Sequence, residues 1–207
     1  ETWDFYPVRI REDRPRPNDN WPTALSVWED INNPITRDTI EGRNLKIMRK
    51  YHNELKMDML KTNFVKGQTI LDIGSGRGGD ISKWSSLGLG RVYAMEPDKE
   101  TGNSNDEFEK RLDQDKESVK RESAKKGIIY SYPEVTLLKY GAENTRKIGK
   151  QLKDDTTFLD GIVAFFSLTF FPESEKMYGR LLNTINLLPP GGKFVGIVLS
   201  GQHVNAL

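Results

Sequence analysis

The sequence predicts an α/β fold in which a parallel sheet carries helices on both of its faces. Three observations predict it. Short apolar segments of strand length alternate with helical segments. A glycine-rich loop joins the first of these strands to the next helix. The 207-residue chain is 36% hydrophobic and 29% charged, which allows one core. We therefore expect one ordinary domain plus an appendage.

Five short apolar segments between the helical segments are predicted as strands. Their order along the chain, each separated from the next by a helix or a charged insertion, is typical of a parallel sheet. The predicted strands are residues 69–73, 91–95, 135–140, 161–166 and 193–199.

Apolar residues at helical spacing predict the helices. In the segment 78–87, Ile81, Trp84 and Leu87 recur every third residue and form one face, with Trp84 as a packing residue. The other predicted helices are residues 23–31, 43–61 and 174–188, together with a highly charged helix or insertion over 99–126.

Composition narrows the compartment and the class of ligand. The chain has no cysteine, which excludes disulfides and cysteine-ligated zinc and fits a reducing compartment. No apolar run approaches the ~20 residues of a membrane span, so we expect no membrane partner. A net charge of +1 means that nucleic-acid affinity has to come from local patches. His52 and His203 are too few and too far apart for a metal site, and we predict none.

The glycine-rich loop predicts a cofactor site. It contains the pattern Gly-x-Gly-x-x-Gly at Gly74, Gly76 and Gly79. A dinucleotide site uses such glycines to approach a pyrophosphate, but the carboxylate of Asp72 at the strand end suits the ammonium of S-adenosylmethionine (SAM). Asp80 in the first turn of the helix would weaken an anion site. Glu96 at the end of the second strand suits ribose hydroxyls in either cofactor. SAM, a nicotinamide or flavin dinucleotide, and a structural tight turn all remain open on these residues alone.

The N-terminal segment presents basic residues at alternate positions. Arg9, Arg11 and Asp13 share one side of an extended stretch, with Arg14 nearby. The pattern fits a phosphate-binding edge, because arginine offers forked donors to phosphate oxygens. On spacing alone, a charged edge strand in a solvent-facing segment fits the pattern better.

A resemblance to a known family covers most of residues 43–200. The run Gly74-Ser-Gly-Arg-Gly-Gly-Asp80, followed by Lys83-Trp84, resembles the SAM loop of mRNA cap guanine-N7 methyltransferases. The run Met95-Glu-Pro-Asp98 is similar to the poxvirus version of the family. Residues 48–56 (MRKYHNELK) resemble the family's Asn-x-x-Lys helix. The resemblance therefore implies a Rossmann-like, SAM-dependent methyltransferase sheet, of the poxvirus or African swine fever virus type.

The resemblance also implies roles for individual residues. Lys56 would contact the SAM carboxylate, Gly74 with Asp72 would hold the methionine part, and Glu96 would bind the ribose. The implied cofactor-binding residues are Lys56, Asp72, Gly74, Ser75, Gly76, Glu96, Phe165, Phe166 and the adenine turn Tyr140, Gly141 and Ala142. The family's usual acid is absent from that turn.

The implied cap- and RNA-binding residues are Arg77, His52, Asn53, Thr169 and Phe170. Arg77 would reach the cap triphosphate. Phe165, Thr169 and Phe170 stand where the family has Gln, His and Tyr, so aromatic stacking of Phe165, Phe166 and Phe170 would replace the polar contacts with guanine. The basic helix 43–61 would hold RNA phosphates, since residues 43–66 contain seven Lys or Arg and two acids.

A second resemblance concerns residues 1–41. Trp3, Arg9, Arg11, Asp13, Arg14, Pro17 and Asn18 fall at the spacing of the last motif of mRNA guanylyltransferases. The nucleophilic lysine of Lys-x-Asp-Gly is absent. The resemblance implies that residues 1–41 are the tail of an upstream guanylyltransferase on the same polypeptide, and that residues 42–207 are the methyltransferase domain.

Together the resemblances imply methyl transfer from SAM to guanine N7 of capped viral mRNA, in the host cytoplasm or the virion. A stimulatory subunit is a further candidate partner. N7 is already a nucleophile, so we predict no catalytic acid or base. Such domains have seven strands and five precede Leu207, so we expect the last two beyond this end. The alternatives are a SAM-dependent methyltransferase acting on another substrate and a catalytically silent SAM- or RNA-binding module.

Overall fold

The computed structural model describes residues 25, 27, 28, 31, 32, 45–97, 104–171 and 174–198. Strands and helices alternate along them. The helices are α1 (Lys46–Asn63), α2 (Ile81–Leu87), α3 (Ser104–Lys126), α4 (Thr145–Asp154) and α5 (Glu175–Ile185). The strands are β1 (Thr69–Ile73), β2 (Arg91–Met95), β3 (Glu134–Leu138), β4 (Gly161–Phe165) and β5 (Lys193–Ile197), and a 3₁₀ turn spans Leu168–Phe170.

The five strands form one parallel sheet in the order β3-β2-β1-β4-β5. Chain order runs outward from β1 in one direction to β3 and then resumes on the other side with β4. The sheet therefore has its topological switch point between β1 and β4. In open parallel sheets, ligands bind at such a point, outside the carboxyl ends of the strands.

Apolar side chains cover both faces of the sheet. Successive strand residues, which point to opposite faces, are therefore both buried. One cluster joins the sheet to α1, α2 and α3 through Leu60, Trp84 and Phe108, and all three side chains are fully buried. The other joins the sheet to α4 and α5 through Ile148 and Leu181. Trp84 is thus a packing residue, as predicted.

The predicted elements agree closely with the structure, with one omission. Strands β1 and β2 have the predicted bounds, and β3, β4 and β5 end one or two residues earlier than predicted. The charged segment 99–126 contains the long helix α3. Helix α4 is missing from the prediction because its buried side chains are Ile148 and Leu152 alone, among four basic residues.

The chain divides into two compact units, Glu1–Asn53 and Glu54–Leu207. The predicted guanylyltransferase tail, residues 1–41, lies outside the described residues except for five positions. Those five, which include Leu25 and Trp28, are helical and fall in or next to the predicted helix 23–31. The domain boundary at 41/42 stays a prediction. Among the described residues, no helix combines the length and the apolar character that crossing a membrane requires.

Candidate cofactor site at the switch point

The glycine loop lies at the carboxyl end of β1, beside the switch point, and is tied to the neighbouring strand. The backbone N–H groups of Gly74 and Ser75 both donate to the carbonyl of Met95, at 2.9 and 3.0 Å. One residue further, the N–H of Gly76 donates to Oε2 of Glu96 at 2.8 Å. The loop is therefore held against the end of β2, and Glu96 faces it.

Gly74 occupies a position where only glycine fits. Its φ of +79° lies in the left-handed region, and a Cβ there would run into the Cβ of Ser167. Ser167 is itself buried, and its hydroxyl donates to the carbonyl of Ile73. This bond brings the segment after β4 against the end of β1, so that both sides of the switch point meet at Gly74.

Asp72 is a buried carboxylate with an unsatisfied oxygen. The residue is 2% exposed, and Oδ2 has no hydrogen-bond partner among the described residues. Burial, and after it the charge of Asp80, raise the pKa of Asp72 to about 8, while the Lys56 ammonium opposes the rise. A carboxylate in this state gains most from a cation placed against it.

Lys56 reaches this region from α1. Its ammonium lies 2.8 Å from Oδ2 of Asp80 and sits 5.6 and 5.8 Å from the ring centres of Phe165 and Phe166. Asp80 precedes α2 as its N-cap, but its side chain accepts no capping bond. From the sequence we expect Asp80 in the first helical turn, with a negative charge that weakens an anion site. Instead its carboxylate is paired with lysines.

The turn after β3 forms the next part of the edge. Tyr140 is half-buried, burial raises its pKa, and the Lys147 ammonium lies 5.3 Å from its ring centre. Ala142 is buried, and its carbonyl accepts a bond of 2.6 Å from the hydroxyl of Thr184. Glu143 follows at once, and its carboxylate lies where a Cβ on Gly141 would sit. The sequence analysis did not single out Glu143, although it supplies an acid one residue beyond the predicted turn.

The two phenylalanines at the end of β4 differ in environment. Phe165 is 6% exposed and belongs to the core, so its burial favours the packing role and leaves little of the ring for a guanine. Phe166 is half-buried and has a φ of +65°, which is rare for a bulky residue and costs roughly 1–2 kcal/mol. Thr169 and Phe170 lie in the 3₁₀ turn that follows, where the Thr169 hydroxyl donates to the carbonyl of Phe166.

The predicted cap-binding residues fall into separate places. Arg77, on the outer side of the glycine loop, has a side chain that is 58% exposed and lies 3.4 Å from Glu107. Its exposure leaves it available to an anion. His52 and Asn53 belong to the unit of residues 1–53, and their roles stay predictions.

The site fits SAM on its own geometry. A buried carboxylate oxygen without a partner, Asp72 Oδ2, lies one strand away from a second carboxylate, Glu96. A cationic methionine ammonium suits the first, and ribose hydroxyls suit the second. Among the described residues, no group of three or more His, Cys, Asp or Glu could hold a metal ion.

Besides Glu143, two residues of this site escaped the sequence analysis as functional groups. Ser167 was read as part of an aromatic segment, and Lys83 only as part of a motif. Lys83 is 6% exposed and donates to the carbonyl of Gly79 at 3.0 Å. No local pattern marks Lys83 as buried, because it does not lie on the helical face formed by Ile81, Trp84 and Leu87.

Comparison with known proteins agrees with this geometry. A family model described as mRNA (guanine-N(7))-methyltransferase domain matches residues 32–206. The "Uncharacterized killer plasmid pGKl-2 protein 3" of Kluyveromyces lactis is 36% identical over 93 residues, 45% of this chain. The "Probable mRNA-capping enzyme" of Acanthamoeba polyphaga mimivirus is 26% identical over 131 residues, 43% of this chain. The chain spans 14% and 11% of the length of these two relatives.

Among solved structures, the N-methyltransferase NodS of Bradyrhizobium japonicum superposes with a TM-score of 0.50 at 14% identity. The match covers 77% of this chain and 72% of that one. At this identity the likeness concerns the fold alone. It confirms the predicted Rossmann-like methyltransferase sheet.

Proposed function

The chain belongs to the family of mRNA (guanine-N(7))-methyltransferase domains, and we propose that it methylates N7 of the guanosine cap of an mRNA. SAM is the cofactor of this family's chemistry, and the domain is a SAM-dependent methyltransferase. The observation that carries the proposal is the pair of carboxylates, Asp72 and Glu96, that flanks the glycine loop at the switch point.

The residues around the loop divide the cofactor between them in this proposal. Asp72 and Lys56 hold the charged groups of the methionine part, against the backbone of Gly74, Ser75 and Gly76. Glu96 can keep its bond to Gly76 with one oxygen and accept a ribose hydroxyl with the other. The turn Tyr140, Gly141 and Ala142 borders the adenine.

Catalysis then needs orientation more than proton transfer. Bound SAM supplies an electrophilic methyl group on a positively charged sulfur. Guanine N7 is unprotonated at neutral pH, so no proton has to be removed. The residues of the site serve to align N7 with the methyl carbon and the sulfur, and to exclude water. Alignment of this kind lowers the activation barrier for methyl transfer by several kcal/mol by order of magnitude, because the reactants are already positioned.

The guanine would lie near Phe166, whose ring is less buried than that of Phe165. An aromatic face also suits the positive charge that N7-methylation creates on the product. Arg77 would bind the cap triphosphate, because its guanidinium is exposed and a phosphate competes well for a surface pair with Glu107. Thr169 and Phe170 are the remaining proposed cap contacts within residues 54–207.

Methyl-transfer assays with competing acceptors test this function. We expect radiolabelled methyl from SAM to appear in RNA capped with GpppA, and nuclease digestion to release it as N7-methylguanosine. RNA with a 5′ triphosphate is the matched control. If the protein binds SAM and methylates small acceptors but no capped RNA, the alternative of another substrate replaces the proposal. If it binds SAM and methylates nothing, the alternative of a catalytically silent binding module replaces the proposal.

We extend the proposal to a larger capping enzyme with a guanylyltransferase on the same polypeptide. Support comes from the motif in residues 1–41 and from the name of the mimivirus relative. Incubation of the polypeptide encoded by the whole gene with labelled GTP tests it. A covalent GMP adduct on that polypeptide, absent from the 207-residue chain, is the expected result, and no adduct on either would contradict it.

A further inference from the structure

The carboxylate of Asp80 is shared by two lysines. Its Oδ2 lies 2.8 Å from the Lys56 ammonium, and its Oδ1 lies 2.9 Å from that of Lys83. The side chains of Asp80 and Lys83 are each 8% exposed, and that of Lys56 is 17% exposed. The three groups therefore form a nearly dry cluster, which we call the Asp80 cluster.

Burying a second lysine is costly unless its charge has a use. Packing does not require it, because a buried ammonium loses its hydration and an apolar side chain of similar length would fill the same space. A single carboxylate already neutralises one lysine. With Lys83 also 2.9 Å from Asp80, that carboxylate does not depend on Lys56 alone for a partner.

The two lysines of the cluster differ in how firmly they are held. Lys83 is held twice, by an ion pair with Oδ1 of Asp80 and by a hydrogen bond to the carbonyl of Gly79, and turning toward a ligand would break both contacts. Lys56 has one carboxylate oxygen and the rings of Phe165 and Phe166 around it. Lys56 is thus the member of the cluster whose ammonium can donate to a second carboxylate.

We propose that Lys83 is a positioning residue that holds Asp80 and leaves Lys56 free to bind the carboxylate of the methionine moiety. The inference rests on the proposed placement of SAM. It names Lys83 and Asp80 as the groups that set the affinity of the site for the amino-acid end of the cofactor, without touching it.

A structural role alone predicts a different pattern of effects. Loss of packing at Lys83 would loosen the loop and weaken the binding of every ligand of the site alike. If Lys83 has the positioning role, its loss weakens the binding only of ligands that carry the carboxylate. 5′-Methylthioadenosine has the adenine, the ribose and the sulfur of SAM but lacks its amino-acid end, so it separates the two roles.

Calorimetry on the full chain provides the test, with SAM and 5′-methylthioadenosine as probes. Lys83→Met should lower the affinity for SAM by about tenfold, the loss of one charge-assisted contact, and leave that for 5′-methylthioadenosine unchanged. Lys83→Arg, which keeps the charge, should retain most of the SAM affinity. Lys125→Met, on an exposed turn of α3, is the control and should change neither. In a Lys56→Met background, Lys83→Met should have no further effect.

Equal losses for both ligands, or no loss for either, would overturn the inference. Thermal unfolding of each variant establishes that it is folded, and Lys83→Gln replaces Lys83→Met if that protein fails to fold. A wild-type chain that binds neither ligand would instead overturn the proposed function, since the inference concerns only how SAM is held.

Discussion

Replacing Asp72 by Asn should stabilise the free protein and weaken its cofactor binding at the same time. Asn has the shape of a protonated aspartic acid, and Asp72 is buried with one oxygen unsatisfied. Its pKa rises from 3.8 to about 8 because burial, and then the charge of Asp80, disfavour the ionised form. In the unfolded chain the same group ionises near its ordinary pKa.

The sign and the size of the effect follow from this difference. A group whose pKa is raised by folding contributes stability below its unfolded pKa and loses it as the pH rises through its folded pKa. For Asp72 that window runs from pH 3.8 to about 8. At ~1.4 kcal/mol per pH unit, the wild type should lose up to ~4 kcal/mol relative to Asp72→Asn between pH 5 and pH 8.

Urea unfolding of both proteins without SAM, at pH 5, 6, 7 and 8, measures this difference. Subtracting the two free energies of unfolding cancels the contributions of the other carboxylates, because both proteins contain them. We expect the stability advantage of Asp72→Asn to grow with pH, while its SAM affinity at pH 7 falls by about tenfold or more for loss of an ion pair. An advantage that stays constant across the range would refute the reasoning about buried charge.

Four further changes address the rest of the site. Gly74→Ala should destabilise by ~1–2 kcal/mol or more in urea unfolding, because alanine resists a φ of +79° and meets Ser167; a neutral effect would contradict the close approach. Glu96→Ala should weaken SAM binding in calorimetry by ~1–3 kcal/mol, and an unchanged affinity would remove Glu96 from the site. Arg77→Ala should leave stability within ~0.5 kcal/mol and raise the KM for capped RNA but not for SAM, since the side chain is exposed. Phe166→Gly should be ~1 kcal/mol more stable than Phe166→Ala, because glycine relieves the left-handed backbone at φ +65°.

The sheet was predictable from the sequence because each strand had a clear local signal. The segments Thr69–Ile73 and Arg91–Met95 are short, apolar and bounded by glycines or charged residues, and both have the predicted bounds. Helix α4 had no such signal, since its helical face consists of two apolar residues among lysines and an arginine. Its formation depends on packing of Ile148 against the sheet, which no local pattern announces.

The candidate site was predictable in its loop and less so in its surroundings. The residues follow one another along a single βαβ unit in the order Asp72, Gly74 and Glu96, so their spacing alone brings them together. Ser167 joins them through a contact that depends on the tertiary fold, whereas Lys83 has local bonds to Gly79 and Asp80 and is buried only in the folded chain. Ser167 comes from a segment 94 residues beyond its partner, Ile73, which places it beyond any argument from spacing.

Three local departures from stable design coincide at the carboxyl edge of the sheet. Asp72 has an unpaired buried oxygen, Phe166 has a left-handed backbone, and Lys83 adds a second buried ammonium to one carboxylate. Each is unfavourable in the free protein, and each would be removed by a common substitution. Proteins tolerate such departures mainly where a ligand compensates them. Their occurrence at the edge of the sheet where the switch point lies is therefore an argument for the site that is independent of the motif by which it was found.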